Sequence, residues 1–263
     1  MLAAQRRDTI LDRLRSDGRV IARDLAEELG TSEDTVRRDL RDLAAAGLCQ
    51  RVYGGALPAS PAVADYRARQ SVGAASKQVV AATAAALVRP GTTVLLDGGT
   101  TALAVAHALP ADLRATVVTH SPTVAAALVE HPTVEVFVIG GRLFKHSAVT
   151  CGAAALEALD GVNADLFLLG VTGVHPTAGL TTGDADEAAM KRALARRAAD
   201  TYVLASAEKI GAASPFAVLP LAEVAGVVTD VPADDPTVVE LTSAGVRVLG
   251  RQGTAEGAPA PGR

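Results

Sequence analysis

Tryptophan is absent from the 263 residues, and aromatic side chains make up only 3% of them. A core must therefore be built from Ala, Val and Leu. Cysteine is nearly absent too. The two present, Cys49 and Cys151, stand far apart and match no metal-ligand spacing, so reduced thiols of a cytoplasmic protein are expected. No metal site and no cofactor motif is read. The N-terminus carries Arg6, Arg7, Asp8 and Asp12 with no apolar run behind them, which argues against a signal peptide. No uncharged stretch unbroken by turn residues reaches the roughly 18 residues of a membrane span. An excess of positive charge is also lacking. The net charge of −4 neither favours nucleic acid nor excludes it, because a local basic patch suffices for binding. What is present is 49% hydrophobic and 21% charged residues. That is enough apolar side chain for a sizeable core, in one large or two moderate domains.

The most informative short stretch is Thr31-Ser32-Glu33-Asp34-Thr35-Val36-Arg37-Arg38-Asp39-Leu40-Arg41. On a helical wheel Val36, Leu40 and Leu43 form an inward stripe, while Arg37, Arg38 and Arg41 share an outer arc. Ser32 stands at the N-cap position, and Glu33 and Asp34 suit the positive end of the helix dipole. Upstream, Arg6–Ser16 reads as a helix stopped by Asp17-Gly18. Val20-Ile21 reads as a short strand, and Ala22–Leu29 as a second helix capped by Gly30. Helix, tight turn, helix is the arrangement whose second helix enters a DNA major groove. Downstream, Leu48–Ala56 reads as a strand closing on Gly54-Gly55, the shape of a wing.

Residues 6–57 resemble the winged helix of the DeoR family of bacterial transcription regulators. The resemblance rests on Thr35-Val36-Arg37-Arg38-Asp39-Leu40, then Leu43, Gly47 and Arg51-Val52-Tyr53-Gly54-Gly55-Ala56. It implies double-stranded operator DNA as partner, with Ser32, Thr35, Arg37, Arg38, Arg41, Arg51 and Tyr53 as contact residues. Arginine can bond a guanine edge at two points, or a phosphate. Arg37 and Arg38 are therefore expected on bases or phosphate, and Arg41 and Arg51 on phosphate. Asp39 has two readings, a solvated charge or a residue that orients an arginine. Tyr53 also has two, a DNA contact or part of the small core.

A linker is expected over 58–72, where Pro58 and Pro61 break any continuous helix. Ser76–Val88 reads as a helix that carries Lys77; a lysine at this place is common in the DeoR family, and its default role is surface solubility. From 73 to 250 apolar runs alternate with Ala-rich stretches. Strands are predicted at Thr93–Leu96, Thr116–Thr119, Val134–Ile139, Asp165–Leu169, Thr201–Ala205, Gly226–Thr229 and Arg247–Leu249. Helices are predicted at Thr101–Leu109, Pro122–Glu130 and Ala185–Asp200. The fold class is α/β: a winged helix-turn-helix over 1–57 and a Rossmann-like, doubly wound, mainly parallel sheet over 73–250. The Gly-, Ala- and Pro-rich residues 251–263 read as a disordered tail.

Small and hydroxylic residues follow these strands, where open α/β sheets bind ligands. Asp97-Gly98-Gly99-Thr100-Thr101, leading into a helix, is the best candidate phosphate cradle, and a plain strand-to-helix turn is the alternative. Ser121, Gly140, Gly141 and Arg142 stand in comparable loops. Residues 73–230 also resemble the DeoR sensor domain, itself similar to ribose-5-phosphate isomerase in fold. The match runs through Asp97–Thr101, Gly140-Gly141, Gly152, Gly170, Gly179-Leu180-Thr181, Glu187, Lys191 and Lys209. It implies a pocket for a phosphorylated sugar or related metabolite. Glu187 and Lys191, at i and i+4, read equally as an exposed ion pair. Two departures fall near the implied pocket: His120 where the family has Asn, and Ala205-Ser206-Ala207-Glu208-Lys209 without the family's Asp. His120 is either a charge sensor near neutral pH or a hydrogen-bonded structural residue. The resulting expectation is a homo-oligomeric regulator, dimer or tetramer, and not an enzyme. A repressor of carbohydrate genes is implied by the resemblance. The alternative is a sugar-phosphate isomerase with an accessory DNA-binding module, for which Glu187 and Lys191 are the conceivable acid–base pair.

Overall fold

The computed structural model describes residues 2–63 and 66–250. The predicted tail at 251–263 and Asp65 of the linker lie outside them. The chain begins with α1 (Ala3–Asp17), β1 (Val20–Ile21), α2 (Ala22–Glu28), α3 (Glu33–Ala45), β2 (Cys49–Val52) and β3 (Gly55–Pro58). The strands form a small antiparallel sheet in the order β1-β3-β2. Ile10, Leu14, Leu25, Val36, Leu40 and Leu43 meet beneath it, so the i, i+4, i+7 stripe of α3 is its buried face. Gly18, left-handed at φ 67°, ends α1.

A 3-10 turn at Pro61–Val63 and the four-residue α4 (Tyr66–Arg69) connect to the larger α/β region. That region starts with α5 (Ala74–Ala85), β4 (Thr93–Leu96), α6 (Thr100–Ala108), β5 (Thr116–Thr119), α7 (Pro122–Leu128) and β6 (Glu135–Val138). It continues through β7 (Arg142–Phe144), β8 (Val149–Cys151), α8 (Ala153–Leu159), β9 (Ala164–Gly170), β10 (Gly173–His175) and β11 (Gly179–Thr182). It closes with α9 (Ala185–Ala195), β12 (Ala198–Leu204), β13 (Phe216–Ala217), β14 (Gly226–Val228), α10 (Pro236–Ser243) and β15 (Val248–Leu249).

The seven strands foreseen from the apolar runs form one parallel sheet in the order β15-β14-β12-β9-β4-β5-β6. Alternate residues serve opposite faces. Val94, Leu96 and Leu168 pack under α5, α6 and α7. Leu95, Phe167 and Leu169 pack under α8, α9 and α10. Burial on both faces is why these strands read as nearly unbroken Val, Leu and Ile. From β4 the chain steps outward through β5 to β6, and from β9 outward the other way through β12. The direction of winding therefore reverses between β4 and β9, and the crevice at their C-terminal ends is where such sheets place ligands.

Two details differ from expectation. The helix predicted over Ala185–Asp200 stops at Ala195, because the stretch from Ala198 is taken into the sheet, where Ala198 and Asp200 pair with Ala164 and Leu166 of β9. Tertiary pairing here overrides local helix propensity. The antiparallel pair β7-β8, the trio β10-β11-β13 and the helices α8 and α10 are additions that the sequence pattern does not announce. The described residues contain no helix long and apolar enough to cross a membrane.

Candidate functional site

Two surfaces gather the predicted residues. The first is α3 with the wing. Ser32 caps α3, its hydroxyl accepting from the Thr35 amide at 3.2 Å and lying 2.8 Å from the Thr35 hydroxyl. Arg37, Arg38 and Arg41 are exposed on the outer face. Arg37 bonds Glu33 at 2.7 Å, an exposed pair of little stabilising value that can exchange for another anion. Arg37, Arg51 and Tyr53 line one groove between α3 and the β2–β3 hairpin. Tyr53 is fully exposed at the hairpin tip, which removes the core reading for it. Asp39 is not a solvated charge. It is 2% exposed and accepts from Arg6 and, at 3.3 Å, from Arg7. The buried carboxylate thus clamps α1 against α3 and sets the angle at which the arginine face is presented.

The second surface is the crevice between β4 and β9. Its floor is the loop Gly98-Gly99-Thr100-Thr101, which opens α6. A side chain at Gly98 would collide with Val149, the Cβ falling 2.1 Å from its Cγ1, and Gly99 has a left-handed φ of 94°. Only glycine allows this loop to fold so tightly, leaving the α6 amide end facing the crevice. Around it stand Arg69, Lys77, Lys191 and Lys209, with Glu187 and Glu208. Asp184 caps α9 through the amides of Asp186 and Glu187, which aims Glu187 and Lys191 inward. Both are buried, so the exposed-pair reading for them fails.

Asp97 anchors this arrangement from beneath and does not line the cleft. It is fully buried. Its Oδ2 accepts from Lys191 Nζ at 2.6 Å and from the Gly170 amide at 2.8 Å. Its Oδ1 accepts from the Gly98 amide at 2.7 Å and faces His120 Nε2 at 2.7 Å. Burial works against its charge, but Lys191 and His120 hold its carboxyl well below the usual carboxylate range. Burial likewise works against the Lys191 ammonium, which Asp97 and Glu187 keep above its ordinary value. His120 is enclosed, its Nδ1 facing the Thr150 carbonyl at 2.9 Å, so the structural reading holds for it.

Lys209 has a different setting. Its Nζ donates to the Thr101 hydroxyl at 2.9 Å and to the Leu204 carbonyl at 3.2 Å. Burial dominates over the help of Glu208 and pushes the ammonium down to about 7. Lys77, expected on the surface, is buried and donates to the Arg69 carbonyl at 2.6 Å and to that of Val72. Burial lowers its pKa as well, against the pull of Glu208. Thr182, 1% exposed at the cleft wall, has a hydroxyl without a hydrogen-bond partner among the described residues.

Of the predicted effector residues, Gly98, Gly99, Thr100, Thr101, Glu187, Lys191 and Lys209 come together here. Ser121 is buried as the cap of α7, and Gly140, Gly141 and Arg142 lie outside the cleft lining. Arg142 is 77% exposed and faces Asp186 at 3.5 Å. Sequence reasoning missed Arg69 and Thr182 and put Lys77 on the surface. Thr182 carried a signal as a hydroxyl in the Gly179–Thr182 run, and Lys77 carried one in the family resemblance, where a lysine at this place is common.

The model of the DeoR-like helix-turn-helix domain matches residues 6–61, and that of the DeoR C terminal sensor domain matches residues 73–231. The chain is 34% identical over 252 residues to the HTH-type transcriptional regulator GlpR of Haloferax volcanii, covering 95% of this chain and 98% of that one. It is 31% identical to the putative aga operon transcriptional repressor of Escherichia coli O157:H7, over 94% of this chain and 93% of the relative. Against the glycerol-3-phosphate regulon repressor of Escherichia coli K12 the identity is 29%, over 88% and 92%.

Proposed function

The chain belongs to the DeoR family and is a DNA-binding transcriptional regulator, and from that premise we propose that it is a repressor controlled by a phosphorylated sugar or polyol held in the β4/β9 cleft. The observation that carries this reading is the set of buried lysines around the α6 N-terminus. Lys191 is already neutralised by Asp97, while Lys77 and Lys209 have no carboxylate bonded to them among the described residues. A dianionic phosphate at the loop amides supplies the missing negative charge. Glu187 and the Thr182 hydroxyl stand beside it as acceptor and donor for sugar hydroxyls. The glycerol-3-phosphate regulon repressor among the relatives fits a ligand of this chemistry.

On DNA, α3 enters the major groove with Arg37 and Arg38 toward base edges, while Arg41, Arg51 and Tyr53 hold the backbone. Two copies of the chain read two half-sites of an operator in the cytoplasm. Binding to the cleft changes operator affinity only if the two arrangements of the chain bind the phosphate differently.

The test is a thermal-shift series on the full chain with glycerol 3-phosphate, hexose phosphates and inorganic phosphate. A compound present at a hundred times its dissociation constant stabilises the folded state by about 2.7 kcal/mol. The expected result is a shift from one compound, lost in Thr101→Val and Lys209→Met. No shift from any of them overturns the reading.

A further inference from the structure

We infer that the described linker residues around Ala62 and over 66–72 form one wall of the cleft and that Arg69 is the residue through which the connection to the DNA-reading head senses the anion. The inference rests on reading the cleft as the effector site. Arg69 belongs to α4, outside the α/β region, yet it lines the cleft together with Ala62 and Val72. Its Nη1 lies 3.6 Å from the position a Cβ would take on Gly99, directly over the loop that opens α6. Its Nη2 donates to the His146 carbonyl at 3.3 Å. A guanidinium over a helix N-terminus is suited to bind a phosphate from the side opposite the loop amides.

The linker is tied to the cleft at both ends. Lys77, itself a cleft residue, holds the carbonyls of Arg69 and Val72. Ser60 donates to the Thr172 carbonyl, and the Ala213 amide donates to the Pro58 carbonyl at 3.2 Å. Pro58 is the last residue of β3, so the wing strand runs directly into the cleft wall.

The cleft opens to solvent on one side, and its inner space of about 30 Å³ has room for one or two waters. A phosphate ester that reaches the loop amides displaces that water and presses on the wall that faces them. The α6 loop and Lys191 are fixed from beneath by the buried Asp97 network, whereas the Arg69 guanidinium, on the four-residue α4, bonds a backbone carbonyl, a partner a phosphate can replace. The wall that carries Arg69 is the one that adjusts, and the same wall is bonded to the end of β3 through Ser60 and Pro58.

The experiment uses the full chain as wild type, Arg69→Ala, Arg69→Lys and Lys209→Met. Each is titrated calorimetrically with glycerol 3-phosphate, glucose 6-phosphate and inorganic phosphate, with hydrogen exchange followed over residues 58–72. The expected result is binding of one sugar phosphate by wild type with altered exchange in that segment. Arg69→Ala weakens binding at least tenfold and abolishes the exchange change at an unaltered melting temperature, and Arg69→Lys falls between. If Arg69→Ala binds like wild type while Lys209→Met does not, the cleft reading stands and this inference is overturned. If the wild type binds none of the three, or Lys209→Met binds as wild type does, the cleft reading falls and the inference with it.

Discussion

Replacing Asp97 with asparagine preserves shape and removes one charge, which makes it a sharp probe of the buried network. Oδ2 receives two donors, Lys191 Nζ and the Gly170 amide. Oδ1 receives the Gly98 amide and faces His120 Nε2. Turned toward the place of Oδ2, the new NH2 group confronts two donors, Lys191 Nζ and the Gly170 amide; turned toward the place of Oδ1, it confronts the Gly98 amide, while His120 can accept from it in the tautomer that donates Nδ1–H to the Thr150 carbonyl. At least one hydrogen bond to the carboxylate is lost, and the buried Lys191 ammonium loses its bonded counter-charge, with Glu187 the carboxylate left near it. Breaking a buried ion pair from one side costs about 3–5 kcal/mol. At roughly 2–4 °C per kcal/mol for a region of this size, the melting temperature falls by about 6–20 °C. The chain has no tryptophan, so melting is followed by circular dichroism.

The pH dependence carries a second sign. Asp97 is held below its ordinary 3.8, so its stabilisation is complete above that pH and is lost as pH falls through the folded value. Lys191 is held above 10.5, so its share is present below 10.5 and is lost as pH rises through the folded value. In Asp97→Asn the lysine is disfavoured as a cation, and the deficit against wild type shrinks as pH rises toward the ordinary lysine range. Asp160→Asn, which breaks the exposed Arg197–Asp160 pair, serves as the control and changes stability by under about 1 kcal/mol. A loss no greater than this control in Asp97→Asn refutes the assignment of the network as the anchor of the cleft.

Three further outcomes follow from the same geometry. Lys209, pushed down to about 7, is mostly neutral at pH 8. Binding of a phosphate dianion there takes up about 0.9 proton per site, and calorimetry in buffers of different ionisation enthalpy reads this directly. Asp39→Ala leaves Arg6 without its buried partner and destabilises the winged helix by about 3 kcal/mol, seen as a lowered first transition in urea together with lost DNA binding. Arg41→Ala weakens DNA binding evenly across sequences and lowers the salt slope by about 1, while Arg38→Ala costs about 1–3 kcal/mol at one base position and relaxes specificity there, both measured by anisotropy titration.

The legible parts of the fold are those whose signal is local. Thr93–Leu96 and Thr116–Thr119 match their predicted bounds because each is a β-rich apolar run stopped by turn residues. The α3 stripe is legible because its 3.6-residue period is written in Val36, Leu40 and Leu43. The strands β10, β11 and β13 are not, because Gly173–His175 and Gly179–Thr182 owe their strand character to each other and to Phe216, far along the chain. The same limit governs the cleft. Gly98–Thr101 announces itself by composition and spacing. Lys77 does not, because a lysine on a helix is ordinarily solvated, and here the linker folds over it. Asp97 reads as a loop residue, and its partners Lys191 and His120 come from α9 and from the end of β5. Arg142 carries the right charge after a Gly-Gly turn, yet its strand places it outside the cleft.

The most direct test of ligand-controlled repression is operator affinity with and without the phosphate ligand. DNA sequences selected by the full chain are titrated by fluorescence anisotropy in the presence and absence of the compound that raises its melting temperature. The expected result is sequence-specific binding whose affinity changes at least about fivefold with the ligand, and equally a ligand affinity changed by the same factor on DNA. Specific binding that the ligand leaves unchanged contradicts it.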